Sequence, residues 1–275
     1  MNNKIKLFLG VLLTLFSFYY TAKSIDLVKR IDPIMEKIEK NQDKFNISPI
    51  DARIVDDTII PGLKGKQVNI NLTYKKMKEY GMYNESLTIL KDISPKVSIK
   101  NNYDKYIISG NKKKRSVSII FYVDDIEKYR LITNYIDLEH IQSTLLIDSD
   151  LIDYLEEKDL TKNNIELNYK EINKVYVSSN SSYIENITNK KTSYCITINR
   201  NKKLLNVCKK YKYYTIIPSI TLNNSPTTTI KKELSNGSII LVEITNEIKK
   251  ELDYIIYYIK SKGYDIISLN DLLKE

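Results

Sequence analysis

Eight short apolar runs separated by helix-like stretches limit the architectures open to this chain. They are VSIIFYV (117–123), STLLID (143–148), NIELNY (164–169), KVYVSS (174–179), YCITIN (194–199), YYTIIPS (213–219), SIILVEI (238–244) and DIISL (265–269). Most are continuously apolar, which suits strands covered on both faces. Between them lie IEKYRLITNYIDLEH, LIDYLEEKDL, NKKLLNVCKKY and NEIKKELDYIIYYIKSKG, the last stopping at Gly263. Strand–helix alternation over about 160 residues predicts an α/β fold with a parallel sheet. Periodicity leaves open whether that sheet is a barrel or doubly wound.

The chain upstream reads differently. MNNKIKLFLGVLLTLFSFYYTAKS has Lys4 and Lys6 ahead of an uncharged apolar run at residues 7–22. That is the shape of an export signal. Two outcomes are expected: a single-pass signal anchor over residues 1–24 with the bulk of the chain outside the cell membrane, or a cleaved signal near Ala22 and Ser24 with secretion. Residues 25–49 have helix spacing interrupted by Pro33 and predict a membrane-proximal helical stalk. Residues 50–112 mix short strands, turns at Pro61, Gly62 and Gly65, and a helix ending at Gly81. They predict a small α+β module without catalytic spacing.

Charge narrows the partner classes. The formal net charge is +9, from 43 Lys+Arg against 34 Asp+Glu. Such a charge reads either as an anionic partner, nucleic acid or an anionic envelope polymer, or as a chain rich in Lys, Asn, Ile and Tyr from an AT-rich genome. The lysines are scattered, with one dense run at residues 112–115, which favours the second. Zinc-finger spacing, a Gly-rich phosphate loop and RNP-like aromatics are all missing, so no nucleic-acid partner is expected.

KRSVSIIFYVDD, followed some twenty residues later by IQSTLLID, resembles the opening of the polysaccharide deacetylase (NodB-homology) family, with its T-F-D-D strand end. GSIIL, a long helix and a K-x-G-Y turn are similar to the family's close. The resemblance covers about residues 114–275, and the anchor and upstream module look like a membrane-anchored subgroup from low-GC Gram-positive bacteria. It implies a distorted (β/α) barrel of the glycoside hydrolase/deacetylase type, with its site at the strands' C-terminal ends. It also implies hydrolysis on a divalent metal held by one aspartate and two histidines, with a second aspartate as base and a late histidine as acid.

Two registers are open. If residues 122–125 match T-F-D-D, Asp124 is the base and Asp125 a metal ligand. If Phe121 matches the motif's phenylalanine, Tyr122 and Val123 take those places. The family's histidines have no counterpart: IELNYKEINKVYV lacks H-[ST]-x-x-H, Leu241-Val242-Glu243 replaces the late L-x-H, and the chain's single histidine is His140. The R-x-P-[FY] arginine is missing from YCITIN as well. Asp124 and Asp125 therefore read as a remnant or as helix caps, and no cofactor is expected. The alternative is an active deacetylase whose metal, such as zinc, is held by Asp124, Asp125, Glu166 and Glu243.

The candidate ligand-binding residues are Asp124, Asp125, Asn168 and Glu243, for a cell-envelope polysaccharide or peptidoglycan. Cys195 and Cys208, the only cysteines, read as one disulfide in an exported chain or as two buried thiols. The function expected is a catalytically impaired, membrane-anchored deacetylase-like protein acting on envelope carbohydrate. A structural assembly factor is the third possibility.

Overall fold

The computed structural model describes residues 3–162, 164–168, 185–186 and 193–275. The strand expected over residues 174–179 lies outside them. In chain order the described strands begin with β1 (Arg53–Val55), β2 (Thr58–Ile60), β3 (Gly65–Val68), β4 (Leu90–Ile93), β5 (Tyr106–Ile107), β6 (Ser116–Val123) and β7 (Ser143–Asp148). They continue with β8 (Ile165–Asn168), β9 (Tyr194–Ile196), β10 (Tyr214–Ile216), β11 (Ile220–Leu222), β12 (Ile239–Glu243) and β13 (Asp265–Ile266).

The chain forms two compact units: Met1–Pro49 with Lys64–Ile93, and Ile50–Leu63 with Ser94–Glu275. In the first, Pro33 restarts the helix at Pro33–Asn41, and Asp32 caps it by accepting the Ile34 N–H at 2.9 Å. Met35 and Ile38 bury against Val68, Tyr74 and Met77. Residues 33–41 are therefore packed within this unit. Residues 50–112 contribute to both units. β3 and β4 pair antiparallel in the smaller unit, while β1, β2 and β5 enter a sheet of the larger one. The reason is pairing: β5 runs parallel to both β2 and β10, and local pattern cannot name partners so far away in the chain.

The N-terminal apolar run lies in the helix Asn3–Arg30. Among the described residues no helix is long and apolar enough to cross a membrane, which corrects the single-pass membrane location expected from the sequence. The 16 uncharged residues at 7–22 give the reason. At 1.5 Å each they rise about 24 Å, short of the roughly 30 Å hydrocarbon core.

In the larger unit one sheet runs β11-β12-β6-β7-β8, with β13 also on β6, and every pairing in it is parallel. Alternation along β6 divides its side chains between two cores. Val117, Ile119, Phe121 and Val123 face the helices Ile126–Glu139 and Asn246–Ser261, packing with Tyr129, Ile132 and Ile248. Ile120 faces the other way. There it joins Leu146 and Leu241 against Ile59, Ile107 and Ile216 of a second sheet, ordered β1-β2-β5-β10-β9. Pro218 stands where the chain leaves the second sheet and returns to the first, since proline cannot donate to a ladder. The α/β fold with parallel strands is the one expected. Among the described residues its strands form two facing sheets and no closed hydrogen-bonded ring.

A side chain bridges the gap. β8 and β9 belong to different sheets, and the Glu166 carboxylate on β8 accepts the backbone N–H of Tyr194 at 3.3 Å and of Ser193 at 3.4 Å. Burial pushes the Glu166 carboxyl up to about 8, against those two N–H groups, which favour the charged form. A group whose folded pKa is raised contributes stability that is complete below its unfolded value and is lost as pH rises through the folded one. The urea midpoint of the wild type is therefore expected to fall between about pH 5 and 8 relative to that of Glu166→Gln. Parallel pH profiles of the two proteins would refute this.

Candidate functional site

The inner faces of four strands set the site. Ile120 and Tyr122 lie on one face of β6, Leu146 and Asp148 on that of β7, Glu166 and Asn168 on that of β8, and Leu241 and Glu243 on that of β12. The parallel register pairs Tyr122 with Glu243, and Asp148 with Asn168, and each of the four is the last inward residue of its strand. Asp148, 2% exposed, is the hub. Its Oδ1 accepts the Tyr122 hydroxyl at 3.0 Å and the Asn168 amide at 2.8 Å. Burial first, then the hydrogen bond to Asp148, pushes the Tyr122 phenol up to about 12, so it stays protonated and donating near neutrality. The sequence reading missed Asp148 and Tyr122 as partners. The available signal was the inward alternation of STLLID, which puts its aspartate on the same face as Leu146.

Above these strand ends opens a cleft of about 710 Å³. Tyr122, Leu146, Asn168, Leu241 and Glu243 form one wall, and residues 196–204 form the other. The second wall is tied at both ends by a disulfide between Cys195 at β9 and Cys208 in the helix Lys202–Lys210, whose Cα atoms are 6.4 Å apart. Asn201 caps that helix by accepting the Lys203 and Leu204 N–H groups, each at 3.1 Å. Arg200 reaches Asp57 at 3.3 Å.

Asp124 and Asp125 are not in the cleft wall. β6 ends at Val123, so Tyr122 is its last inward residue and the aspartates begin the next element. Asp125 caps helix Ile126–Glu139, accepting the Lys128 N–H at 2.7 Å, and this bond holds its carboxyl below the usual range. The Lys128 ammonium lies 2.5 Å from Asp124 Oδ1 and 3.3 Å from Asp125 Oδ2. The expected ligand group therefore separates: Asn168 and Glu243 line the cleft, and the two aspartates do not.

A divalent metal of the kind the resemblance implies does not fit these donors. Among the described residues no three His, Cys, Asp or Glu side chains come together. Glu166 is committed to backbone N–H groups and the aspartates to Lys128, so the all-oxygen set does not converge. His140 ends helix Ile126–Glu139 in the left-handed conformation, at the opposite end of the strands.

No family model matches the chain. Among curated proteins it is 22% identical over 272 residues to the uncharacterized protein YlxY of Bacillus subtilis, covering 89% of this chain and 84% of that one. Among solved structures it superposes on wild-type BA3943, a CE4 family pseudoenzyme from Bacillus anthracis. The TM-score is 0.64 at 20% identity, covering 89% of this chain and 96% of that one. The chain has the CE4 deacetylase fold. The peptidoglycan N-acetylglucosamine deacetylase Bc1960 also matches, with a TM-score of 0.54 at 15% identity, over 62% of this chain and 92% of that one. The longer match to BA3943 takes in more than the barrel-like region, and within that shared fold the strand ends here carry Tyr122, Asp148, Asn168 and Glu243.

Two stability measurements check this placement. Asp125→Ala is expected to cost about 1 kcal/mol through the lost cap, and Asp124→Asn less than about 0.5 kcal/mol. An equal, large loss from both in denaturant melts would show that they act as a pair. Replacing Cys195 and Cys208 together by alanine should cost roughly 3 kcal/mol for a loop of this size, read by the same melts.

Proposed function

We propose that this chain is a catalytically impaired, deacetylase-like protein that binds cell-envelope polysaccharide in the cleft at its strand ends. The observation that carries this is the Tyr122–Asp148–Asn168 cluster. On this fold, ligands are handled at the C-terminal ends of the strands. There the chain has a phenol and an amide held by a buried carboxylate, while Asp125 caps a helix and Asp124 pairs with Lys128.

Such a set suits recognition of a sugar. The Tyr122 ring offers an apolar face with a polar tip, Asn168 keeps a carbonyl oxygen and a second N–H for hydroxyl groups, and Glu243 accepts from hydroxyls. Hydrolysis would need an activated water near an electrophile, and the described donors do not assemble the family's one-aspartate, two-histidine site. The CE4 fold and a pseudoenzyme among its neighbours support the reading. That a neighbour bearing this fold is a peptidoglycan deacetylase supports the choice of an envelope glycan.

The test uses the purified full chain with added zinc and an acetylated chitooligosaccharide. Acetate release is expected to be at background. Calorimetric binding should be measurable and about tenfold weaker in Tyr122→Ala, with Asp125→Ala unchanged. Zinc-dependent acetate release would overturn the impaired-enzyme reading.

A further inference from the structure

The two walls of the cleft differ in charge. The strand-end wall presents the neutral Tyr122 and Asn168 and the single acid Glu243, whereas the opposite wall presents Arg200, Lys202 and Lys203 within four residues. Arg200 is partly neutralised by Asp57. Lys202 and Lys203 are exposed, and among the described residues neither has an ion-pair partner. Both also sit in a helix's first turn, which holds no acid and where cations are electrostatically disfavoured. A local rule broken by two neighbouring residues that line a cavity points to function. The disulfide and the Arg200–Asp57 pair tie this wall down around the lysines.

We propose that the glycan held in this cleft is anionic, its carboxylate or phosphate lying against Lys202 and Lys203 while its neutral hydroxyls meet Asn168 and Glu243. This rests on the glycan-binding reading above and specifies its ligand class. A neutral sugar gains only ordinary hydrogen bonds from two lysines. An anion gains charge-assisted ones, roughly twice as strong and weakened by salt. Glu243, on the opposite wall, fixes polarity, because an anionic group placed there would meet a like charge.

Calorimetry on the full chain with two pairs of glycans, alike in backbone and different in charge, tests this. One pair is hexagalacturonate and its methyl ester; the other is 6-O-phosphorylated chitohexaose and chitohexaose. The charged member of at least one pair is expected to bind about tenfold tighter at low salt. Which pair shows the gap tells carboxylate from phosphate. The gap should close in the Lys202→Gln, Lys203→Gln double variant, through the larger loss falling on the charged member. Equal affinities within both pairs would overturn the anionic ligand and leave glycan binding standing. A gap that survives in the double variant would also overturn it, since the charge would be read elsewhere. Failure of all four ligands to bind would overturn the glycan reading and this proposal together.

Discussion

Strand β6 is buried on both faces, and most of the larger unit depends on how it divides its side chains. Ile119, Phe121 and Val123 anchor the core under the helices, while Ile120 anchors the core between the sheets. Each residue fully removed from water contributes on the order of 1.5–3 kcal/mol. One slip in register would exchange the two sets and turn Tyr122 away from the cleft. The same alternation therefore holds the fold and aims the site.

The strand ends are where a fold of this kind can vary its polar residues without changing its core. At the C-terminal end of a parallel sheet, each strand delivers one inward residue to a common point, and those residues can change without disturbing the layers below. Here they deliver a phenol, an amide and two carboxylates, one of which is consumed in holding the other groups. The aspartates one and two places beyond β6 fall to the helix that follows, whose first free N–H groups and nearby Lys128 both attract them. In this chain Asp125 caps that helix and Asp124 pairs with Lys128.

The opposite wall of the cleft comes from residues 196–204. Residues 196–204 carry no catalytic pattern and lie between two cysteines whose pairing draws attention away from what they enclose. Their role depends on the gap between β8 and β9, where Glu166 substitutes for ladder hydrogen bonds and the second sheet turns its end toward the first. A protonated or a charged Glu166 binds the same N–H groups with different strength.

The sequence by itself determined the elements. Continuous apolar runs, helix periods and the stops at Gly81 and Gly263 made the parallel α/β architecture and most strand positions legible. The count of one histidine already left the chain short of the two imidazoles that the resemblance's metal site requires. These are local properties, set by side-chain alternation and by capping within three or four residues. The tertiary structure decided the rest: that β1, β2 and β5 join a sheet with β9 and β10, that Asp148 holds Tyr122 and Asn168, and that Lys202 and Lys203 face the cleft. Strand partners and the convergence of side chains from separate strands are non-local. They follow from which buried surfaces fit together, and no spacing along the chain encodes that directly.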